Sequence, residues 1–334
     1  MNRESDKVLY HGISSYQLLE LMLHRAMFHP EDWAVLLLPD FIVEKYPQWQ
    51  KLAPRFFDQV RLFPYLEIPH REESKVVADT ARAYEALELP PLESFQKLYI
   101  GGAHFYFSLY VLEKGLPFCF FEDAAGMLSQ PEKAQAVVAA KFPEHAALAQ
   151  AHGLFSGDNP LIREVFYCGD AQTKQVKVPG NLWDFSVERA LKSLPLKVRK
   201  RLVKFFVPHS LGTSAHTILL TQQFSNLGLL PEETQLGLYR ELAQGMLAGE
   251  KLLVKKHPDD PLDYREVFPG AEILERPFPA ELLPYVFRGK RPKRVVAFGS
   301  ASLANLGESF QTVSLPLPEG SEILSQEQPA GSPL

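Results

Sequence analysis

Through most of the chain, short apolar runs alternate with stretches whose apolar residues recur at helical spacing. Lys7 to Ile13 is such a run, closed by Gly12 and Ser14, and Tyr16 to Phe28 follows with Leu18, Leu19, Met22, Leu23 and Met27 along one face. Trp33 to Leu38, Gln59 to Phe63, Leu98 to Ile100 and Leu116 to Phe121 predict further strands, with helices over Lys75 to Leu87 and His104 to Lys114. The unbroken apolar character of Leu116 to Phe121 is that of a strand covered on both faces of a parallel sheet. Alternating strands and helices imply an open α/β sheet.

The rhythm lapses in the middle of the chain. Pro131 to Ala151 is Ala-rich and helical, whereas Phe155 to Trp183 is interrupted by Gly, Asn and Pro and offers only short strands at Glu164 to Cys168 and Gln175 to Val178. Ser186 to Phe206 reads as a basic helix capped by Ser186 and kinked near Pro195. A second series then begins: strands at His216 to Leu220, Lys251 to Val254, Ile273-Leu274 and Arg294 to Phe298, and helices from Glu232 to Leu247, with Pro231 at the start, and from Ala280 to Phe287. Two Rossmann-like halves joined near residues 180 to 210 make an α/β chain of the layout called GT-B, with two domains facing a central cleft. The expected boundaries are 1–185 and 186–325, and the tail Gln326 to Leu334 reads as disordered.

Bulk properties narrow the function classes. At 334 residues, 46% hydrophobic and 22% charged, the chain is long enough for two ordinary cores. A net charge of -5 gives no global attraction to a phosphate backbone, and no zinc-finger or RNA-binding motif is present, so nucleic acid is not an expected partner. Cys119 and Cys168 sit inside apolar runs without CxxC spacing and read as buried thiols in a reducing compartment. The charged segment Met1 to Lys7 lacks an apolar signal region, and no apolar stretch reaches spanning length, so a cytoplasmic protein is expected.

Open α/β sheets bind ligands beyond the carboxyl ends of their strands, which directs attention to four places. Glu122-Asp123 ends one apolar run; a carboxylate there suits a general base, or it caps the next helix. Thr221-Gln222-Gln223 ends the first strand of the second series, where a nucleotide or sugar would dock, or simply begins a loop. Lys255-Lys256-His257-Pro258 pairs cationic residues with a histidine held extended by proline, suited to protonating a departing phosphate, or forms a turn. Gly299-Ser300-Ala301-Ser302 precedes a predicted helix at Leu303 to Leu306, where hydroxyls and N-H groups suit an anion, or Ser300 is only its cap. Asp259-Asp260 is adjacent rather than spaced as a metal-binding DxD, and reads as a cap of the following segment.

Taken in order, the acidic pair, Thr-Gln-Gln-Phe, Lys-x-His-Pro, Pro-Ala-Glu-Leu-Leu (Pro279 to Leu283) and Gly-Ser-x-Ser make the chain resemble the bacterial GT-B sialyltransferases, in particular the lipooligosaccharide sialyltransferases and the related capsule polysialyltransferases. The resemblance runs from about Lys97 to Leu306. It implies an inverting, metal-independent enzyme, without cofactor, that moves sialic acid or a related nonulosonic acid from a CMP-activated donor to a hydroxyl of a cell-surface glycan. Residue by residue it implies Glu122 as general base with Asp123 as neighbour or substitute, and His257 as acid to the leaving CMP. Ser300 and Ser302 would take the phosphate, and Lys256, Pro258, Gly299 and Thr221 to Gln223 would line the donor site. The first domain would then serve the acceptor and the second the donor. Where the family has glycine directly after the acidic pair, this chain has Ala124, with Gly126 two residues on. The basic run Arg288 to Arg294 suggests contact with anionic lipid at the inner face of the plasma membrane, where a lipid-linked acceptor would lie, or a solvated loop. The resemblance leaves a homodimer open. The alternatives are a GT-B transferase for another donor, such as CMP-Kdo or a nucleotide-activated polyol phosphate, and a non-catalytic glycan-binding relative.

Overall fold

The computed structural model describes residues 6–68, 72–102, 105–123, 127–167 and 176–316. The chain divides into two compact units, one made of residues up to Ser210 with Phe278–Val286, the other of Leu211–Pro277 and the chain from Phe287 onward. The expected boundary at 185 differs from this division for two reasons. The helices Val187–Ser193 and Leu196–Phe206 bury Leu191, Leu202, Phe205 and Phe206 in the first unit. Arg199 from the second of these helices also stacks on the ring of Tyr285 at 5.0 Å, which holds the returning segment there. The tail from Gln326 lies outside the described residues.

In the first unit seven parallel strands, β1 (Lys7–His11), β2 (Trp33–Pro39), β3 (Gln59–Phe63), β4 (Lys97–Gly101), β5 (Phe118–Phe121), β6 (Ile162–Tyr167) and β7 (Asn181–Asp184), lie in the order β3-β2-β1-β4-β5-β6-β7. All four residues of β5 are buried, as an apolar run between two helical layers requires. The order reverses between β1 and β4, and their carboxyl ends therefore form the switch point where such sheets hold ligands. The helix Ser15–Phe28 leaves β1 through a capping box: Ser14 Oγ accepts the Gln17 N-H at 3.1 Å and Gln17 Oε1 accepts the Ser14 N-H at 3.2 Å.

The second unit is a five-stranded parallel sheet of β8 (Thr217–Leu220), β9 (Leu252–Lys255), β10 (Glu272–Leu274), β11 (Arg294–Phe298) and β12 (Gln311–Leu315), ordered β10-β9-β8-β11-β12. Its switch point lies between β8 and β11. Leu219, Val254, Tyr239, Tyr264, Val296 and Phe298 form its core with Phe224 and Phe268. Each such side chain removed from water contributes about 1.5–3 kcal/mol, offset by the entropy of ordering the chain.

Several predicted elements differ in detail. The Ala-rich stretch is two helices, Pro131–Lys141 and Pro143–Ala151, because Pro143 lacks the N-H a continuous helix needs and instead starts a new one. Pro195 divides Ser186 to Phe206 in the same way, and Ser186 caps the first part by accepting the Arg189 N-H. Residues 176–178 are not a strand; β7 follows them, and Gln175 lies outside the described residues. The predicted helix at Leu303 to Leu306 is a single 3-10 turn, Ala301–Leu303. No described helix is long and apolar enough to cross a membrane.

Candidate active site

In the first unit Glu122 and Asp123 leave β5 next to the switch point. The Glu122 N-H donates to Phe166 O at 2.8 Å, continuing the ladder, so the two side chains diverge as on any extended backbone. Glu122 is 1% exposed and its Oε1 accepts the Leu128 N-H at 2.9 Å. Asp123 is half-buried, and its Oδ1 accepts a hydrogen bond from Gln17 Nε2. Ala124 to Gly126, the departure from the family pattern, lie outside the described residues.

Two further carboxylates, to which the motifs assign no role, complete an acidic cluster. Glu20, one turn beyond Gln17 and 3% exposed, has its carboxyl held well above the usual carboxylate range by burial first, then by Asp123, Glu122 and Glu281. Its Oε2 is buried without a hydrogen-bond partner among the described residues. Glu281 is 4% exposed and belongs to the Pro-Ala-Glu-Leu-Leu motif, although the motif itself was read without assigning it a role. Among the described residues no group of three or more His, Cys, Asp or Glu is arranged to hold a metal ion.

In the second unit the predicted donor-site residues converge at the carboxyl ends of β8, β9 and β11. Thr221 donates its hydroxyl to Asp260 Oδ2 at 2.5 Å and accepts the His257 N-H at 3.0 Å, so one side chain ties the loops after β8 and β9 together. The Asp259 N-H donates to His257 Nδ1 at 3.2 Å, which makes Nδ1 the acceptor and leaves Nε2 as the nitrogen that carries hydrogen. Gln222 Nε2 donates to Phe298 O at 2.7 Å, joining the same loop to the start of the Gly299–Ser302 turn. Gln223 Oε1 accepts from Asn226 Nδ2 at 2.8 Å, within its own loop. Lys256, Pro258, Gly299, Ser300 and Ser302 are all partly exposed, whereas Lys255 is buried and adds no accessible charge.

Behind these loops stands a buried polar network. Tyr264 donates to Asp260 Oδ2 at 2.8 Å, and Gln235 Nε2 lies 2.9 Å from the Tyr264 hydroxyl and 2.6 Å from Gln222 O. Asp260 Oδ1 accepts the Leu262 N-H at 3.2 Å, the local capping role the sequence suggested. Its bonds to Thr221 and Tyr264 add a second role. Burial raises the Asp260 carboxyl above its ordinary range, against the lowering effect of these hydrogen bonds.

The structure narrows two other expectations. With only one 3-10 turn after β11, an anion at Ser300 and Ser302 would meet hydroxyls and the amides of one turn, without a helix dipole behind them. In the basic run, Arg294 is bound to Glu250 at 2.9 Å and Arg291 Nη2 to Ser309 O at 3.1 Å, whereas Arg288, Lys290 and Lys293 are exposed and make no side-chain hydrogen bond or ion pair among the described residues. Cys119 is buried, with its thiol pushed up to about 12 by burial, in keeping with an inert core thiol; Cys168 lies outside the described residues.

A family model described as Alpha-2,8-polysialyltransferase matches residues 185–314, the stretch that contains Thr221 to Gln223, Lys256 to Pro258 and Gly299 to Ser302. An uncharacterized protein of Haemophilus influenzae is 29% identical over 87 residues, which cover 26% of this chain and 28% of that relative's length. Among solved structures the chain is similar to Medicago truncatula UGT71G1 complexed with UDP-glucose, with a TM-score of 0.57 and 12% identity over 96% of this chain and 82% of that one. It is also similar to Methanocaldococcus jannaschii UDP-GlcNAc 2-epimerase in complex with UDP-GlcNAc and UDP, with a TM-score of 0.56 and 10% identity over 97% and 93%. At these identities the structural likeness speaks to the fold, that of two Rossmann-like α/β domains of GT-B type. The resemblance to bacterial sialyltransferases drawn from the motifs is thus met, over residues 185–314, by similarity to the alpha-2,8-polysialyltransferase family model.

Proposed function

We propose that the protein is a glycosyltransferase that moves sialic acid, or a related nonulosonic acid, from a CMP-activated donor to a glycan hydroxyl, with inversion and without a metal ion. The observation that carries this reading is the family match over residues 185–314, because it includes every loop that the Thr221-Asp260 network ties together. The Asp123 carboxylate takes the proton from the acceptor hydroxyl as its oxygen attacks the anomeric carbon. The bond from that carbon to the phosphate oxygen breaks, its electron pair leaves with CMP, and His257 Nε2-H meets the departing phosphate. Asp123 is preferred to Glu122 as base because Glu122 is enclosed and already accepts the Leu128 amide. Ser300 and Ser302 hydroxyls supply neutral donors to the phosphate, sufficient for a leaving group with a single phosphate. Exposed Arg288, Lys290 and Lys293 fit transient contact with the anionic surface that carries a lipid-linked acceptor.

Thermal melting in CMP, CMP-sialic acid, CMP-Kdo and UDP-sugars tests the donor. At a hundredfold excess over Kd the correct donor stabilises by about 2.7 kcal/mol. Protection by a UDP-sugar but not by CMP would overturn the reading. CMP release from CMP-sialic acid should fall by orders of magnitude in His257→Ala and be unchanged by EDTA.

A further inference from the structure

The acidic pair after β5 is met by a side chain that no motif marks. Gln17 is 1% exposed, and its amide has a fixed orientation: Oε1 accepts the N-H groups of Ile13 at 2.7 Å and Ser14 at 3.2 Å. An oxygen that faces two N-H donors cannot be exchanged with the NH2 group, so Nε2 is committed to Asp123 Oδ1. The backbone clears a place for it. A Cβ on Gly101 would stand 2.9 Å from Gln17 Cβ, and one on Gly102, whose φ is +67°, would stand 2.7 Å from Gln17 Nε2. Gly101 ends β4 and Gly102 follows it, at the switch point of the sheet. Among the described residues, the charged neighbours that act on Glu20 in this corner are carboxylates, Asp123 and Glu122 after β5 and Glu281 from the returning segment, and the neutral Tyr16 side chain is hydrogen-bonded to Glu20.

Resting on the reading of Asp123 as general base, we propose that Gln17 is its positioning residue. It holds one carboxylate oxygen by a neutral amide donor and thereby sets the direction in which the carboxylate meets the acceptor hydroxyl. A lysine or arginine there would bind the carboxylate more tightly but would weaken it as a base. A neutral amide orients it without setting a full positive charge beside it. The capping box places this amide, so the start of the helix and the aim of the base are one structural device.

The test compares wild type, Gln17→Glu, Gly101→Ala and Asp123→Asn by CMP release from CMP-N-acetylneuraminic acid, with the galactoside or sialyllactoside that gives wild-type turnover. Gln17→Glu keeps an oxygen for the Ile13 and Ser14 amides but turns a second oxygen toward Asp123. The expected result is a kcat at least tenfold lower, an unchanged KM for the donor, and an acid limb of the kcat/KM profile displaced to higher pH by about a unit. Gly101→Ala presses on Gln17 without altering its chemistry and should lower kcat with the same unchanged KM. It decides the matter if Gln17→Glu does not fold. An inactive Asp123→Asn alongside a Gln17→Glu or Gly101→Ala with wild-type kcat and pH profile would overturn the positioning role while leaving the base. An active Asp123→Asn would overturn both.

Discussion

Acid should unfold this protein partly through one buried imidazole. His11, the last residue of β1, is 1% exposed and packs against the rings of Phe107 and Phe63, at centroid distances of 4.8 and 5.5 Å. Its Nδ1 lies 3.2 Å from Leu37 O, which requires the proton on Nδ1, and Nε2 is buried without a partner among the described residues. Burial, opposed only by that backbone bond, lowers its pKa from 6.5 to about 4. The folded state therefore binds fewer protons than the unfolded state between these values. Stability is fully present above the unfolded pKa and is lost as pH falls through the folded one. Linkage with these two values gives a loss of about 2 kcal/mol between pH 7 and pH 5 and about 3 kcal/mol when the transition is complete. His11→Asn keeps an N-H for Leu37 O but cannot titrate. At pH 7 it should be less stable by about 1–3 kcal/mol for the lost ring packing. By pH 5 most of that deficit should vanish, because only the wild type weakens. Urea unfolding at pH 7, 6 and 5 measures both curves, and two parallel curves would refute the argument.

Two other perturbations follow from buried groups. Glu20→Gln replaces an acid whose folded pKa is raised by burial and by three neighbouring carboxylates; since that contribution is present at low pH and lost as pH rises past the ordinary glutamate value of 4.5, the variant should gain on wild type between pH 5 and pH 8. A constant difference in urea midpoints across that range would contradict the neutral state of Glu20. Thr221→Val removes one of the two hydroxyl donors to Asp260 and leaves the His257 N-H without its acceptor, a cost of about 1–3 kcal/mol in unfolding free energy. Paired with Tyr264→Phe it should show a coupling of about 0.5–3 kcal/mol in a double-mutant cycle, and strict additivity would mean that the network does not act as a unit.

The strands that were legible in the sequence are those buried on both faces. β1, β2, β5, β8 and β9 read as apolar runs because helices cover them on both sides, and burial then dictates composition. β7 and β12 leave no such mark in the sequence because both close a sheet edge, where Asn181, Asp184, Gln311 and Ser314 remain exposed and no apolar run is needed. The same contrast divides the site. Thr221, His257 and Gly299 were legible because a chemistry-bearing residue directly after a buried strand is a local pattern. Gln17 meets Asp123 across 106 residues, and Asp260, Gln235 and Tyr264 meet Thr221 and Gln222 only through the fold. The one local trace of Gln17 was Ser14-x-x-Gln17, a pattern that announces a helix start and says nothing of a distant carboxylate.

Both units hold their strand-end loops with neutral amides, and electrostatics gives the reason. Gln235 repeats the geometry of Gln17: its Oε1 accepts the Ser225 N-H at 2.8 Å, which commits Nε2 to Gln222 O and Tyr264. Gln222 in turn reaches Phe298 O. A charged side chain in any of these places would be partly desolvated, and its field would act on the nearby histidine or carboxylate with little screening. A lysine beside Asp123 would hold it ionised but lower its affinity for a proton. A glutamate in place of Gln235 would set a second negative charge close to Asp260, which burial already disfavours in its ionised form. An amide supplies a donor and an acceptor in fixed directions and leaves the local potential nearly unchanged. On the proposed reading, with Asp123 as base and His257 as acid, loops that present them are best held by groups that do not titrate. That accounts for why glutamine, rather than an ion pair, supports both strand-end clusters.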